Sequence, residues 1–298
     1  MTTYAQTATL DNASPTDVKF QDFMTKWYAA FETGPMEQTS DTGQFDETTL
    51  AWASLSTNSS SPSYQIHKLN DSLFSTAPVY VKTGWYSSSS YLRYSVSVGT
   101  GTDGAGNLTG LVYPLTGYSG TSSAVDVTCA VIGSGGEGYA SVFTDPAAVM
   151  SNPYYAAYHV GVYRTTDEND QPDGRGVLLT VYSTGNTTSA AGIKYVALDF
   201  ESLTYTDYSS YGYWQFGGSS GSANPSLRKD VSRVVIPFTN FTWVCPYLLG
   251  TYRDEHSYGS PFVASPTGNP HLYQQVKSAA YSGINTSPQY STVAVIWE

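Results

Sequence analysis

The sequence predicts a mainly β protein: an antiparallel β-sandwich region preceded by one N-terminal amphipathic helix. Three observations predict it. The first is composition. Of 298 residues, 40% are apolar but only 12% carry charge, about half the usual share of roughly 25%. Polarity is carried by Ser, Thr, Asn, Gly and 26 tyrosines, residues that suit β-surfaces packed against protein. Second, one window alone holds a long helical period. Third, short β-branched and aromatic runs separated by Gly- and Ser-rich turns fill the chain from about Tyr64 onward.

The helical window is Ser14–Thr33. Ser14 is placed to N-cap, and Pro15 would take the first helical position, where its missing N–H costs nothing. Asp17 in the first turn faces the positive end of the dipole. Phe20, Phe23, Met24, Trp27 and Phe31 fall at i, i+3, i+4, i+7 and i+11, one apolar stripe. Gly34 and Pro35 stop the helix. The stripe must dock on the sheets of its own chain or on a neighbouring subunit, so its five residues are candidate interface residues. The preceding arm, Met1–Ser14, is expected to order against a neighbour.

Strand candidates are Tyr64–Leu69, Pro78–Thr83, Tyr91–Val98, Ala124–Ile132, Tyr158–Arg164, Val177–Ser183, Ile193–Phe200, Val231–Phe241 and Thr292–Trp297. Many show β-branched or aromatic enrichment, and Tyr91–Val98 alternates. Short strands with polar turns indicate packed sheets. Thr165–Gly176 reads as an exposed hairpin loop, and Ser56–Ser63 as a polar hinge. The division is therefore an arm and helix over 1–60 and a β-sandwich region over 61–298, as one sandwich or two sub-domains.

Net charge is −11, with 13 Lys and Arg spread thinly. No basic stripe is available to neutralise phosphates, so neither nucleic acid nor an anionic membrane surface is an expected partner. The N-terminus has no basic or apolar leader segment, and no window approaches the length of a membrane helix. Cys129 and Cys245 lie in apolar runs and read as buried reduced thiols, with a disulfide not required.

Motifs with catalytic associations fail on context. Gly99-Thr100-Gly101-Thr102-Asp103-Gly104 is a literal G-x-G-x-x-G after a strand, but two further glycines and Pro114 deny the helix that a dinucleotide loop needs. It reads as a turn whose glycines supply positive φ. Gly217–Gly221 matches G-x-S-x-G inside a low-complexity run rather than at a strand-to-helix elbow. His67, His159, His256 and His271 show no metal-ligand spacing, so no metal and no cofactor is expected. Asp167, Asn169, Asp170 and Asp173 read as a solvated hairpin tip, with a weak Ca²⁺ site as the minority reading. The aromatic runs Trp85-Tyr86 and Tyr208, Tyr211, Tyr213 and Trp214 would serve either as a sugar-stacking platform or as subunit contact surface.

Four segments carry a resemblance: Gln38–Gln44 (QTSDTGQ), Tyr64–Leu73 (YQIHKLNDSL), Thr76–Lys82 (TAPVYVK) and Val98–Gly110 (VGTGTDGAGNLTG). Together with the preceding helix, this order resembles virion structural proteins of tailed bacteriophages, of the minor tail or accessory type. The resemblance spans about Asp17–Gly110. It implies a non-enzymatic particle component, made in the host cytoplasm and incorporated into the virion, whose partners are other virion proteins and copies of itself. It offers no catalytic residues and no position among tail, neck, baseplate and capsid. The alternative is a receptor- or carbohydrate-binding module of the virion that recognises a host-surface glycan. A glycan-degrading enzyme, with two carboxylates brought together from distant strands, ranks below both.

Overall fold

A strand that buries both its odd and its even positions needs cover on both sides. His159–Thr166 is such a strand, buried at every position, and it lies in the middle of the protein. The computed structural model describes residues 2–10, 16–88, 91–115, 127–146, 158–183, 192–207, 232–251, 262–276 and 292–297. In chain order, β1 (Thr2–Leu10) precedes α1 (Asp17–Phe31), and β2 (Met36–Gln38), β3 (Ser63–Leu69), β4 (Tyr80–Ser88) and β5 (Tyr91–Gly99) follow. A small ribbon of β6 (Gly101–Thr102) and β7 (Leu108–Thr109) comes before β8 (Tyr113–Leu115). Next are β9 (Val127–Gly136), β10 (Tyr139–Pro146), β11 (His159–Thr166), β12 (Pro172–Ser183), β13 (Gly192–Asp199) and β14 (Thr204–Asp207). The chain continues through β15 (Ser232–Pro237), β16 (Thr242–Thr251), β17 (Phe262–Ala264), β18 (His271–Val276) and β19 (Thr292–Ile296).

The fold is mainly β and antiparallel, with one helix near the N-terminus. The sandwich has a third layer. A seven-stranded central sheet runs β1-β9-β10-β11-β12-β13-β14, with β2-β3-β4-β5-β8 on one side and β15-β16-β19-β18-β17 on the other. Alternation along the central strands feeds two separate cores. Cys129, Val131, Val142, Val160, Val162, Val177, Leu179, Val196 and Leu198 join the core shared with α1 and the β2–β8 sheet. Their neighbours Ile132, Phe143, Tyr163, Leu178 and Ala197 join the core shared with the C-terminal sheet, which includes Trp243, Cys245, Tyr247 and Tyr273. Both cysteines are free and buried.

Helix α1 is wedged into the first core. Phe20, Phe23, Met24, Trp27 and Phe31 are all buried within their own chain. The stripe therefore takes the first of its two destinations and presents no apolar face to a neighbour. Phe23 and Trp27 meet the Trp85 ring edge-on at 6.1 and 5.5 Å, and the Tyr158 ring lies 5.4 Å from both Trp85 and Tyr94. Tyr28 anchors the helix to the sheet: its hydroxyl accepts from Trp85 Nε1 at 2.9 Å and lies 2.8 Å from Thr83 Oγ1. The last turn rests on bare backbone. A Cβ on Gly133 would come 2.0 Å from the Ala30 carbonyl oxygen, and one on Gly135 would come 2.1 Å from that of Thr33. Glycine at these positions is what lets helix and sheet approach so closely.

Several local expectations change. The helix cap is Thr16, whose side chain accepts from Lys19 N, rather than Ser14. Ser14 and Pro15 lie outside the described residues. The segment expected to order against a neighbour instead includes β1, paired in register along its whole length with β9. Ser56–Ser63 is a pinned turn rather than a hinge. Ser56 Oγ donates to the carbonyls of Asn58 and Ser61, and Ser56 O accepts from Ser87 N at 2.8 Å. The strand expected over Val231–Phe241 ends early: β15 stops at Pro237, and the remaining residues turn the chain into β16. The turn lies at Phe238–Phe241, where Phe238 N donates to Phe241 O at 2.7 Å.

Two tests of this packing follow. Trp27→Ala is expected to lower unfolding free energy by about 3–5 kcal/mol, measured by denaturant titration. Trp27→Phe should cost less than half as much, because it also removes an indole N–H that is buried without a hydrogen-bond partner. Burial pushes the His159 imidazole down to about 3, against an ordinary value of 6.5. The unfolded chain therefore takes up a proton that the folded protein refuses. The histidine's contribution is intact above pH 6.5 and falls by roughly 1.4 kcal/mol per unit as pH drops from 6.5 towards 3. In His159→Gln that slope should flatten, read as the denaturation midpoint against pH.

Candidate interaction site

Segments far apart in sequence meet at one joint on β3 and β4. The chain leaving β2 turns through Asp41, which is buried, and is held from both sides. Asp41 Oδ2 accepts from Thr39 Oγ1 at 2.6 Å and Thr102 Oγ1 at 3.2 Å, and Oδ1 accepts from Gly106 N at 3.4 Å. Gln44 bridges the turn to β3. Its Nε2 donates to the carbonyls of Thr39 and Asp41 at 2.7 and 3.0 Å, and its Oε1 accepts from Ile66 N at 2.6 Å. Tyr64 Oη donates to Thr42 O at 2.8 Å. Lys82 lies 3.8 Å over the Tyr64 ring and donates to Gly106 O at 2.7 Å. Segments 38–44, 64–73, 76–82 and 98–110 thus each contribute to a single contact set.

The glycine-rich turn supplies the other half. Asp103 Oδ1 accepts from Ala105 N and Asn107 N, and Oδ2 accepts from Asn107 Nδ2 at 2.7 Å. Those hydrogen bonds, Asn107's first, hold the Asp103 carboxyl below its ordinary value. Gly104 and Gly106 sit at φ +74° and +90°, and a Cβ on Gly106 would come 1.8 Å from Tyr64 Oη. The G-x-G-x-x-G is therefore a turn closing the β6–β7 ribbon, as its context predicts. Burial pulls the Lys82 ammonium below its usual range, partly offset by Asp103 and Asp41. Each of these side chains is engaged by others in the joint.

A second junction ties the β3–β4 connection to the central sheet. Asp71 takes two hydrogen bonds from Arg164, from Nε and from Nη2, the latter at 2.8 Å, and both side chains are fully buried. Ser72 N and Oγ donate to Glu137 on the β9–β10 turn. At its far end, the β11–β12 hairpin clips the C-terminal sheet. Asp170 Oδ2 accepts from Thr267 Oγ1, Asn269 Nδ2 and His271 Nε2 at 2.7, 2.9 and 3.1 Å.

The other candidate residues are placed as follows. Asp167, Asn169, Asp170 and Asp173 do not converge on a cation. Asp167 accepts from backbone N–H groups of its own turn, Asp173 from Thr165 and Arg175, and Asp170 points to the opposite hairpin. Each of the three carboxylates is engaged within the protein, and the described residues contain no metal-ligand group of three. The Trp85–Tyr86 sugar platform is closed, since both rings are core. Tyr208, Tyr211, Tyr213, Trp214, His256 and Gly217–Gly221 lie outside the described residues. His67 is buried against Glu32 and His159 against Thr180. Among the described residues, no helix is long and apolar enough to cross a membrane.

One surface feature escaped the sequence reading. Val112, Leu203 and Tyr205 are among the exposed large apolar residues. The Tyr113 and Tyr205 rings stand 4.4 Å apart where the edge strands β8 and β14 meet. Leu203 is 71% exposed yet adopts φ +54°, a conformation costing an L-residue roughly 1–2 kcal/mol. The turn is fixed by Asp199 Oδ1, which accepts from Glu201 N and Ser202 N at 3.0 and 3.1 Å. The available signal was a leucine inside the otherwise polar stretch 201–204.

Compared with protein-family models, curated proteins and solved structures, the chain matches none.

The joint makes a testable claim about coupling. Gly106→Ala is expected to destabilise by about 2–4 kcal/mol through positive φ and collision with Tyr64. Adding Tyr64→Ala should recover at least about 0.5 kcal/mol relative to additivity, measured as a double-mutant cycle in denaturant.

Proposed function

We propose that the chain is a structural component of a tailed bacteriophage particle, a tail, neck, baseplate or capsid-accessory protein acting through protein–protein contacts and incorporated in the host cytoplasm. The observation that carries this reading is the joint. The segments resembling virion proteins form a mutually hydrogen-bonded clasp. Asp41, Gln44, Tyr64 and Lys82 direct their polar atoms at one another's loops. Residue types that elsewhere do acid–base work are engaged here in fixing backbone. Two features of the same molecule agree with a scaffold role: both faces of the central sheet are covered, and an apolar patch is left where two sheet edges meet.

The test is composition of the particle. Particles released from a host expressing the complete phage genome, purified by density gradient, should contain this chain at fixed copy number by quantitative mass spectrometry. Gold-labelled antibodies should mark one place on each particle. Recovery of the chain only from the soluble lysate, with particles complete without it, would overturn the reading.

A further inference from the structure

Unpaired strand edges attract other strands, and proteins blunt the ones they do not use. Several edges here are blunted. Lys26 Nζ donates to the Thr7 carbonyl of β1 at 2.7 Å. Pro114 stands in β8 and Pro237 in β15. The β14 edge carries neither proline nor a basic residue, and no described strand pairs with its outer side. It presents Tyr205, backed by Tyr113, with Leu203 projecting from the preceding turn. Backbone in a costly conformation that holds an apolar side chain in water points to use at that position.

Charge says what kind of partner fits. Glu201 is exposed in the same turn with no ion-pair partner among the described residues, and the Asp199 carboxylate lies buried beneath it with Oδ2 unpartnered. Arg175, on β12 beside this turn, where its carbonyl accepts from Phe200 N at 2.9 Å, is engaged by Asp173 at 2.7 Å and lies over the Phe241 ring. With a net charge of −11, a second copy would bring acid to acid. We infer that the β14 edge and its Leu203–Tyr205–Tyr113 patch dock an extended segment of another protein. That segment adds as a strand, sets apolar residues on Leu203 and Tyr205, and carries Lys or Arg opposite Glu201. The inference rests on the assembly reading and gives it a surface and a partner chemistry.

The test uses the full chain and two labelled ten-residue peptides with the same alternating Val/Thr core, one flanked by lysines and one by glutamates. Fluorescence anisotropy should show the lysine peptide binding about tenfold or more tightly over its counterpart, a difference that salt erodes. Amide exchange at residues 204–207 should slow on binding. Leu203→Gly and Tyr205→Thr should each weaken binding about tenfold. The melting midpoint of Leu203→Gly should not fall, because glycine relieves the strain. Equal affinity for the two peptides, protection away from β14, or unchanged binding by Leu203→Gly would overturn the inference. So would self-association of the chain alone that Leu203→Gly abolishes, which makes the occupant a second copy. None of these results bears on particle composition, so the docking claim can fail while the assembly reading stands.

Discussion

The wedge of α1 against the central sheet is the contact on which the rest depends. A sheet buried on both faces is stable only if both covers are present, and the helix completes one of them. Phe23 and Trp27 fill the space between β1, β9, β10 and the Trp85–Tyr94 pair on the second sheet. Helix and sheet can come this close because Gly133 and Gly135 place no side chain under Ala30 and Thr33. Edge-on aromatic contacts then give the cluster orientation as well as area. The third layer needs no helix. It packs its own tyrosines and Trp243 directly on the opposite face.

Polar ties decide how the layers are registered. The buried Arg164–Asp71 pair joins the β3–β4 connection to the central sheet, and the Asp170 clip joins the central sheet to the C-terminal one. Buried pairs of this kind contribute little net stability relative to apolar packing, but breaking one partner is costly. Their value lies in position: a slipped layer would strand a carboxylate in the core. The joint at Asp41 and Lys82 does the same within the outer sheet, ordering a loop and a ribbon against β3 and β4.

Much of this was legible in the sequence, because periodicity is local. The single helix and most central strands follow from spacing, and the stop at Gly34 needs only residue types. The character of the G-x-G-x-x-G follows from Pro114 and the surrounding glycines. What could not be read is what depends on distant partners. β1 looks like a polar tail because its pairing with β9 uses main-chain groups, which side chains do not advertise. A strand facing two cores has no alternation to reveal which neighbour lies where, so the third layer was hidden. The joint was visible only as a set of matching segments. That Asp41, Tyr64, Lys82 and Gly106 touch is a property of register. Leu203 was overlooked because a hydrophobic residue in a turn is unremarkable until its backbone angle is known.

The two thiols sit on opposite sides of the central sheet, Cys129 in the core beneath the helix and Cys245 in the core beneath the C-terminal layer. Burial raises the Cys245 thiol far above its ordinary value, so in the intact molecule it resists alkylation. Peeling away one cover uncovers one sulfur and leaves the other hidden. The protein therefore carries a built-in pair of clocks, and the order in which the sulfurs become reactive tells which layer departs first.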